Sequence, residues 1–225
     1  YEGTYKYEDF DKVGDTYTLK RNVPYFSSES NTQPGMPKYA DLNGDGIIDD
    51  NDRTMIGNGM PKHTGGFTNN FEYKGFDLSI FFQWSYGNDV LNANRLFFEN
   101  SNKTRDLNQY ASYADRWTPE NPESNIPRAT DSGSNKVFST RIIEDGSFLR
   151  LKTVSLGYTL PKQLTKKWKI DNARVFVAGQ NLWTCTGYSG YDPEVSIREG
   201  ALTPGLDFSA YPRAYSISFG INLGF

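Results

Sequence analysis

From Tyr215 to Phe225 the chain reads YSISFGINLGF, with an apolar side chain at every second position. Tyr215, Ile217, Phe219, Ile221, Leu223 and Phe225 form one set, and Ser216, Ser218, Gly220, Asn222 and Gly224 the other. Side chains leave a β-strand on alternate faces, so a period of two reads as a strand with one apolar and one polar face.

The pattern recurs. In FDLSIFFQWSY, Phe76, Leu78, Ile80, Phe82, Trp84 and Tyr86 share one face, opposite Asp77, Ser79, Phe81, Gln83 and Ser85. GGFTNNFEY sets Phe67, Phe71 and Tyr73 against Thr68, Asn70 and Glu72, and Lys74-Gly75 then reads as a tight hairpin turn. In FLRLKTVSLGYTLP, Val154, Leu156, Tyr158 and Leu160 line one face until Pro161 stops the strand. ARVFVAGQNLW alternates less cleanly, and YEGTYKYEDF offers a further, first strand. These segments predict an all-β, antiparallel chain with strands at 66–74, 76–86, 148–160, 173–183 and 213–225.

The connections are unequal. Two residues join the first pair of strands and about a dozen join 148–160 to 173–183, whereas 87–147 and 184–212 are long and rich in Asn, Ser, Pro and Gly. Short turns at one end and long loops at the other are the build of an outer-membrane β-barrel. Rings gather at the strand ends as in interfacial girdles: Trp84, Tyr86, Trp183, Tyr211 and Tyr215 at the long-loop end, Tyr158 and Phe225 at the other. Apolar content is only 36% while aromatics reach 15%. No stretch approaches the roughly 18 apolar residues of a membrane helix, but a barrel strand needs one apolar face only. Five or six strands do not close a barrel, which takes at least about eight. The expectation is therefore the C-terminal portion of something longer. A soluble, calcium-stabilised carbohydrate-binding β-sandwich would show similar alternation and stands as the alternative.

DLNGDGIIDDND, residues 41 to 52, carries a second signal. With Asp41 as position 1, oxygen side chains follow at 3 (Asn43), 5 (Asp45), 9 (Asp49) and 12 (Asp52), Gly46 takes the sharp turn at 6, and Ile47 offers its carbonyl at 7. This matches the twelve-residue calcium loop nearly position for position, and a Ca²⁺ ion would relieve the mutual repulsion of its carboxylates. The alternative is a bare surface turn, since Asn-Gly and Asp-Gly are also the commonest turn dipeptides, and calcium is the favoured expectation. Pro34, Pro37, Gly57, Gly59 and Pro61 exclude the flanking helices of a sensor, so the ion is expected to clip a loop.

Other functions find little support. A net charge of −3, a pI near 5.3 and no basic cluster beyond KKWK at 166–169 argue against nucleic acid. Cys185 is single and reads as a strand-end residue; His63, also single, reads as a structural or exposed loop residue. Asp192 with Glu194, and Glu144 with Asp145, are carboxylate pairs without a catalytic constellation around them, so no enzyme is expected. No leader pattern is visible from Tyr1 onward, as in a mature or cut piece. Tyr110, Tyr113, Trp117, Tyr188 and Tyr191 suit either sugar stacking or loop packing, and packing is the favoured expectation.

Taken together, YADLNGDGIIDDNDR (39–53), RWTPENPESNIPRA (116–129), EDGSFLRLKTVSLGYTLP (144–161), VFVAGQNLWTCTGYSGYDPEV (175–195) and the strand ending at Phe225 resemble the C-terminal region of the SusC/RagA family of TonB-dependent outer-membrane transporters. The resemblance implies an antiparallel transmembrane β-barrel of about 22 strands in a Gram-negative, Bacteroidetes-like outer membrane. It also implies a plug domain N-terminal to this segment, TonB acting through that missing part, a SusD-like surface lipoprotein as lid, and oligosaccharide or peptide cargo. A dimer of transporter and lid pairs is compatible with it. Phe225 would be the barrel-insertion signal. A periplasmic C-terminus would make 20–65, 87–147 and 184–212 extracellular loops and the calcium site a structural brace on the outer surface.

Overall fold

A computed structural model describes residues 1–100, 108–130, 137–194, 196–197 and 204–225. The chain forms two compact units: Tyr1–Gly57, Leu91–Ile143 and Asp207–Ser209 make one, and Asn58–Val90, Glu144–Leu206 and Ala210–Phe225 the other.

The second unit is built on a five-stranded sheet. Its strands are β1 (His63–Tyr73), β2 (Phe76–Tyr86), β3 (Phe148–Thr159), β4 (Asn172–Thr186) and β5 (Ser216–Gly224). They lie in the order β5-β4-β3-β2-β1, every neighbouring pair antiparallel, so each strand sits beside its neighbour in sequence and β1 and β5 form the outer edges. Lys74 and Gly75 both have positive φ, 48° and 87°, the two-residue turn that matches strand twist. Between β3 and β4 the chain makes a helical turn at Lys162–Thr165 and a 3₁₀ turn at Lys166–Trp168.

The five expected strands are present with shifted ends. β1 starts at His63 rather than 66, so His63 is a strand residue and not a loop residue. Gly65 and Gly66 hid this start, because they contribute nothing to an apolar pattern; Gly65 lies beneath the ring of Trp84. The imperfect alternation of β4 also has a cause. Leu151 pairs with Trp183 but Thr153 with Gln180, so β4 carries one residue more than β3 over this stretch, and Asn181 sits there at φ 52°. Against β2 the extra residue is in β3: Leu151 faces Phe82 and Thr153 faces Phe81, leaving Lys152 as the bulge. Beyond it the apolar set of β3 moves from Leu149 and Leu151 to Val154, Leu156 and Tyr158.

The expected strand in YEGTYKYEDF does not join this sheet. Gly3–Thr4 pairs with Pro37–Lys38, and Phe10–Val13 forms a hairpin with Thr16–Leu19, both within the first unit. Tyr5 and Phe10 are buried there with Leu19 as a small core, against which Tyr17, Val23, Tyr25 and Met36 pack. The aromatics that suggested a strand face serve a loop core instead. Further along this unit, buried Glu99 accepts hydrogen bonds from Arg95, Arg141 and Ser112, at 3.1, 2.7 and 2.7 Å, tying loop segments 13 to 42 residues apart. Among the described residues no helix is long and apolar enough to cross a membrane.

Candidate functional site: a two-faced sheet and its loop contacts

The register sorts the sheet into two chemically different faces. Phe67, Phe71 and Tyr73 of β1 pair with Phe82, Leu78 and Phe76 of β2; across β3 and β4 the same face continues through Leu156, Tyr158, Val175 and Val177, and it ends with Ile217, Phe219, Ile221 and Leu223 of β5. These side chains are not a core. Phe71 is 57% exposed, Phe219 81% and Ile221 67%. A sandwich would cover this face with a second sheet, whereas here these side chains stay open. Contiguous exposed apolar surface on this scale marks contact with lipid or protein.

Rings cluster at both ends of that face. Tyr73, Phe76 and Tyr158 lie by the β1–β2 turn, with the Phe76 and Tyr158 rings 4.5 Å apart. At the opposite end the Trp84 indole donates to His63 Nδ1 at 3.1 Å and His63 stacks on Tyr86 at 5.1 Å, which shows how the single histidine is used. Amphipathic rings at the two rims of an apolar band are the girdles of a membrane barrel. Cys185, a free exposed thiol, is the next-to-last residue of β4, at the strand end where it was expected.

The other face is polar: Asn70 and Glu72 stand with Asp77 and Gln83, the grouping the alternation predicted. Two ion-pair sets brace it. Arg174 of β4 reaches across β3 to Asp77 of β2, its Nε 2.9 Å from Oδ1, a path open only because Gly157 lies between; a Cβ on Gly157 would overlap both the guanidinium and the carboxylate. Near the long-loop end of β3, Arg150 is 2% exposed and contacts Asp192 at 2.5 Å and Glu194 at 3.1 Å. Lys152 and Arg213 also meet Glu194, at 3.3 and 3.1 Å, and Gln83 donates to it at 3.4 Å. Burial opposes the charge on Asp192, but the Arg150 guanidinium and the amides of Glu194 and Arg213 outweigh it and hold the carboxyl below the usual carboxylate range. The loop after β4 is thereby pinned to the polar face. The other carboxylate pair is structural too: Glu144 accepts from Ser189 at 2.9 Å, and Asp145 caps the turn at Ser147.

Segment 41–52 curls on itself in the first unit. Asp41 accepts from the amides of Gly44 and Gly46, Asn43 from Asp45, Asp45 from Ile47, and Asp49 from Asn51. Asp52 accepts from Leu42, Asn43 and Asp49, so position 12 ties the loop's two ends, and these amides, that of Asp49 foremost, lower its pKa. Gly46, at φ 84°, makes the turn expected of it, and Asp50–Asp52 is one 3₁₀ turn rather than a helix. Among the described residues no three acidic, imidazole or thiol side chains converge as a metal cluster. The donor set nevertheless fits a hard cation: apart from Asp52 Oδ1, each side-chain oxygen here takes a single hydrogen bond and keeps a lone pair.

Of the loop aromatics, Tyr113, Trp117 and Tyr188 are buried at 4%, 5% and 6%, as loop packing requires. Tyr110 packs on Phe98 at 5.4 Å, and Tyr191 is 84% exposed. What the sequence did not disclose are the partners of Arg150 and Glu99. Both lie more than 40 residues from a principal partner, and no local pattern signals such pairs.

A two-faced antiparallel meander with girdled rims and unequal connections is the wall of an outer-membrane β-barrel. No family model matches the chain. Two TonB-dependent receptors of Formosa agariphila, P3 and P26, are 36% and 39% identical to it over 86% and 85% of its length, and SusC of Bacteroides thetaiotaomicron is 28% identical over 88%. Among solved structures, the RagAB peptide importer aligns in a closed-closed state with TM-score 0.69 at 31% identity over 84% of the chain, and in an open-open state with 0.67 at 27% over 99%. The chain spans about a fifth of these proteins: 19%, 20% and 18% of the receptors and 21% and 22% of the solved chains. It belongs to the SusC/RagA family of TonB-dependent outer-membrane transporters, as a segment of their β-barrel.

Proposed function

We propose that this chain is the C-terminal part of the barrel of a TonB-dependent importer that takes up oligosaccharides or peptides with a SusD-like lipoprotein over its mouth. The two-faced sheet carries this reading: an apolar exposed face suited to lipid, and a polar face, braced by ion pairs, suited to a lumen. Both classes of cargo stay in view, because RagAB is a peptide importer while the names of the Formosa receptors specify no cargo. The plug and the TonB contact belong to the rest of the polypeptide, with segments 20–65, 87–147 and 184–212 outside the cell. Barrel identity is tested by extracting the native polypeptide. It should need detergent and migrate differently on gels before and after boiling; a freely water-soluble form would overturn the reading. Uptake of labelled oligosaccharides and peptides by cells with and without the gene then tests import and separates the cargo classes.

Calcium is part of the same proposal. Asp41, Asn43, Asp45, Asp49 and Asp52, with the Ile47 carbonyl, would hold the ion, which would supply a fixed positive charge that braces the loop. Calorimetric titration of the intact protein should give one site filled at or below ~1 mM Ca²⁺, the range of extracellular modules. Asp41→Asn with Asp45→Asn should weaken it at least tenfold. No heat of binding up to several millimolar would leave 41–52 an ordinary turn.

A further inference from the structure

The first unit contains a cleft of about 550 Å³, within the ~300–1,000 Å³ usual for small-ligand sites. Three rings run along it: Tyr7 lies 5.2 Å from Tyr17 and 5.5 Å from Trp117. Arg128 is held over Trp117 by Gln33 and the Pro34 carbonyl, each at 3.2 Å, and completes that wall. Arg116 is different. It lies over the Tyr113 ring and donates weakly to the Tyr113 carbonyl at 3.4 Å, and among the described residues it has no carboxylate partner. A half-exposed guanidinium keeps most of its five donors for a ligand, and its planar fork matches a carboxylate or sulfate.

The remaining wall carries short groups that both donate and accept, the hydroxyls of Thr16, Ser30 and Thr118 and the amide of Gln33, beside the exposed carboxylate of Asp15, which confines an anionic group to the Arg116 side of the cleft. The Trp117 indole N–H, buried beside the cleft, has no acceptor among the described residues. We propose that this cleft binds an anionic oligosaccharide, its sugar faces on Tyr7 and Tyr17, its hydroxyls among the Thr, Ser and Gln groups, and its carboxylate or sulfate on Arg116. Dispersed hydroxyl-matching groups beside flat rings favour a saccharide over a peptide, whose recognition would call for a paired strand edge or a deep apolar pocket. The inference rests on the importer reading and narrows its cargo.

The test uses the full-length transporter in detergent, titrated calorimetrically with an oligogalacturonate, a sulfated galacto-oligosaccharide, a neutral malto-oligosaccharide and an acidic tripeptide. One or both anionic sugars should bind, and whichever does identifies the carboxylate or the sulfate as the group recognised. Arg116→Gln should weaken that binding about tenfold or more, the scale of a lost charge-assisted hydrogen bond. Ser30→Trp, at an exposed rim position, should fill the cleft and abolish binding without disturbing the core. Failure of both anionic sugars to bind, preference for the neutral sugar or the peptide, or binding unchanged in both variants would overturn the proposal. An unsubstituted protein that is heat-modifiable on gels but binds no sugar overturns the cleft alone; one that is not heat-modifiable overturns the importer reading with it.

Discussion

Buried Arg150 shows how a single residue decides loop placement. Its carboxylate partner Asp192 is equally buried, so Asp192→Asn would leave a guanidinium less compensated away from water, a defect that costs about 3–5 kcal/mol in buried pairs. The expected result is a lower melting temperature in detergent and earlier proteolysis of the loop after β4. The pH dependence follows from the depressed Asp192 pKa. Such a group contributes stability that is fully present above the unfolded value of about 3.9 and is lost as pH falls through the folded one. Hydrogen exchange in this loop should be equally protected at pH 7 and pH 5 and should rise only in stronger acid. Gly157→Ala is the second residue-scale prediction: displacing the Asp77–Arg174 pair and overfilling the space should cost about 1–3 kcal/mol in the same melting assay. Neither pair was legible in the sequence. Asp77 was assigned to the polar face by alternation, but its partner stands 97 residues away.

Individual strands were legible where one face meets a uniform environment. β5 alternates without a break because it pairs in one continuous register, and β2 because its pairing with β1 is continuous and the extra residue on its other side lies in β3. β3 and β4 alternate imperfectly because Lys152 and Asn181 mark bulges, and a bulge resets which parity faces out. Deleting Lys152 should therefore leave Leu151, Thr153 and Val154 in unbroken alternation, with both halves of β3 keeping their faces, and the folded, unboiled gel band should persist. Substitution tests the faces more gently. Phe219→Lys on the apolar face should destabilise by about 2–4 kcal/mol if it lies near the bilayer midplane, whereas Ser218→Lys on the neighbouring polar position should be near neutral. Equal effects would contradict the assignment of faces. The loop unit was the least legible part. Tyr5 and Phe10 look like strand residues by composition, and only their packing with Leu19 shows that they form a core of their own.

For the whole molecule, the sheet's outer strands have a practical consequence. β1 and β5 each have one paired neighbour, so a row of backbone N–H and C=O groups along each outer edge is left for strands beyond this segment to take up. Within a closed ring those rows are filled; released from it, the same segment becomes a seed for fibres, since long, flat, aromatic-rich edges recruit further copies of themselves. Produced by itself in water, this polypeptide should precipitate as thioflavin-binding, cross-β material. Made together with the preceding strands as a separate chain, it should be rescued into a heat-modifiable complex, as a stave is held by its cask.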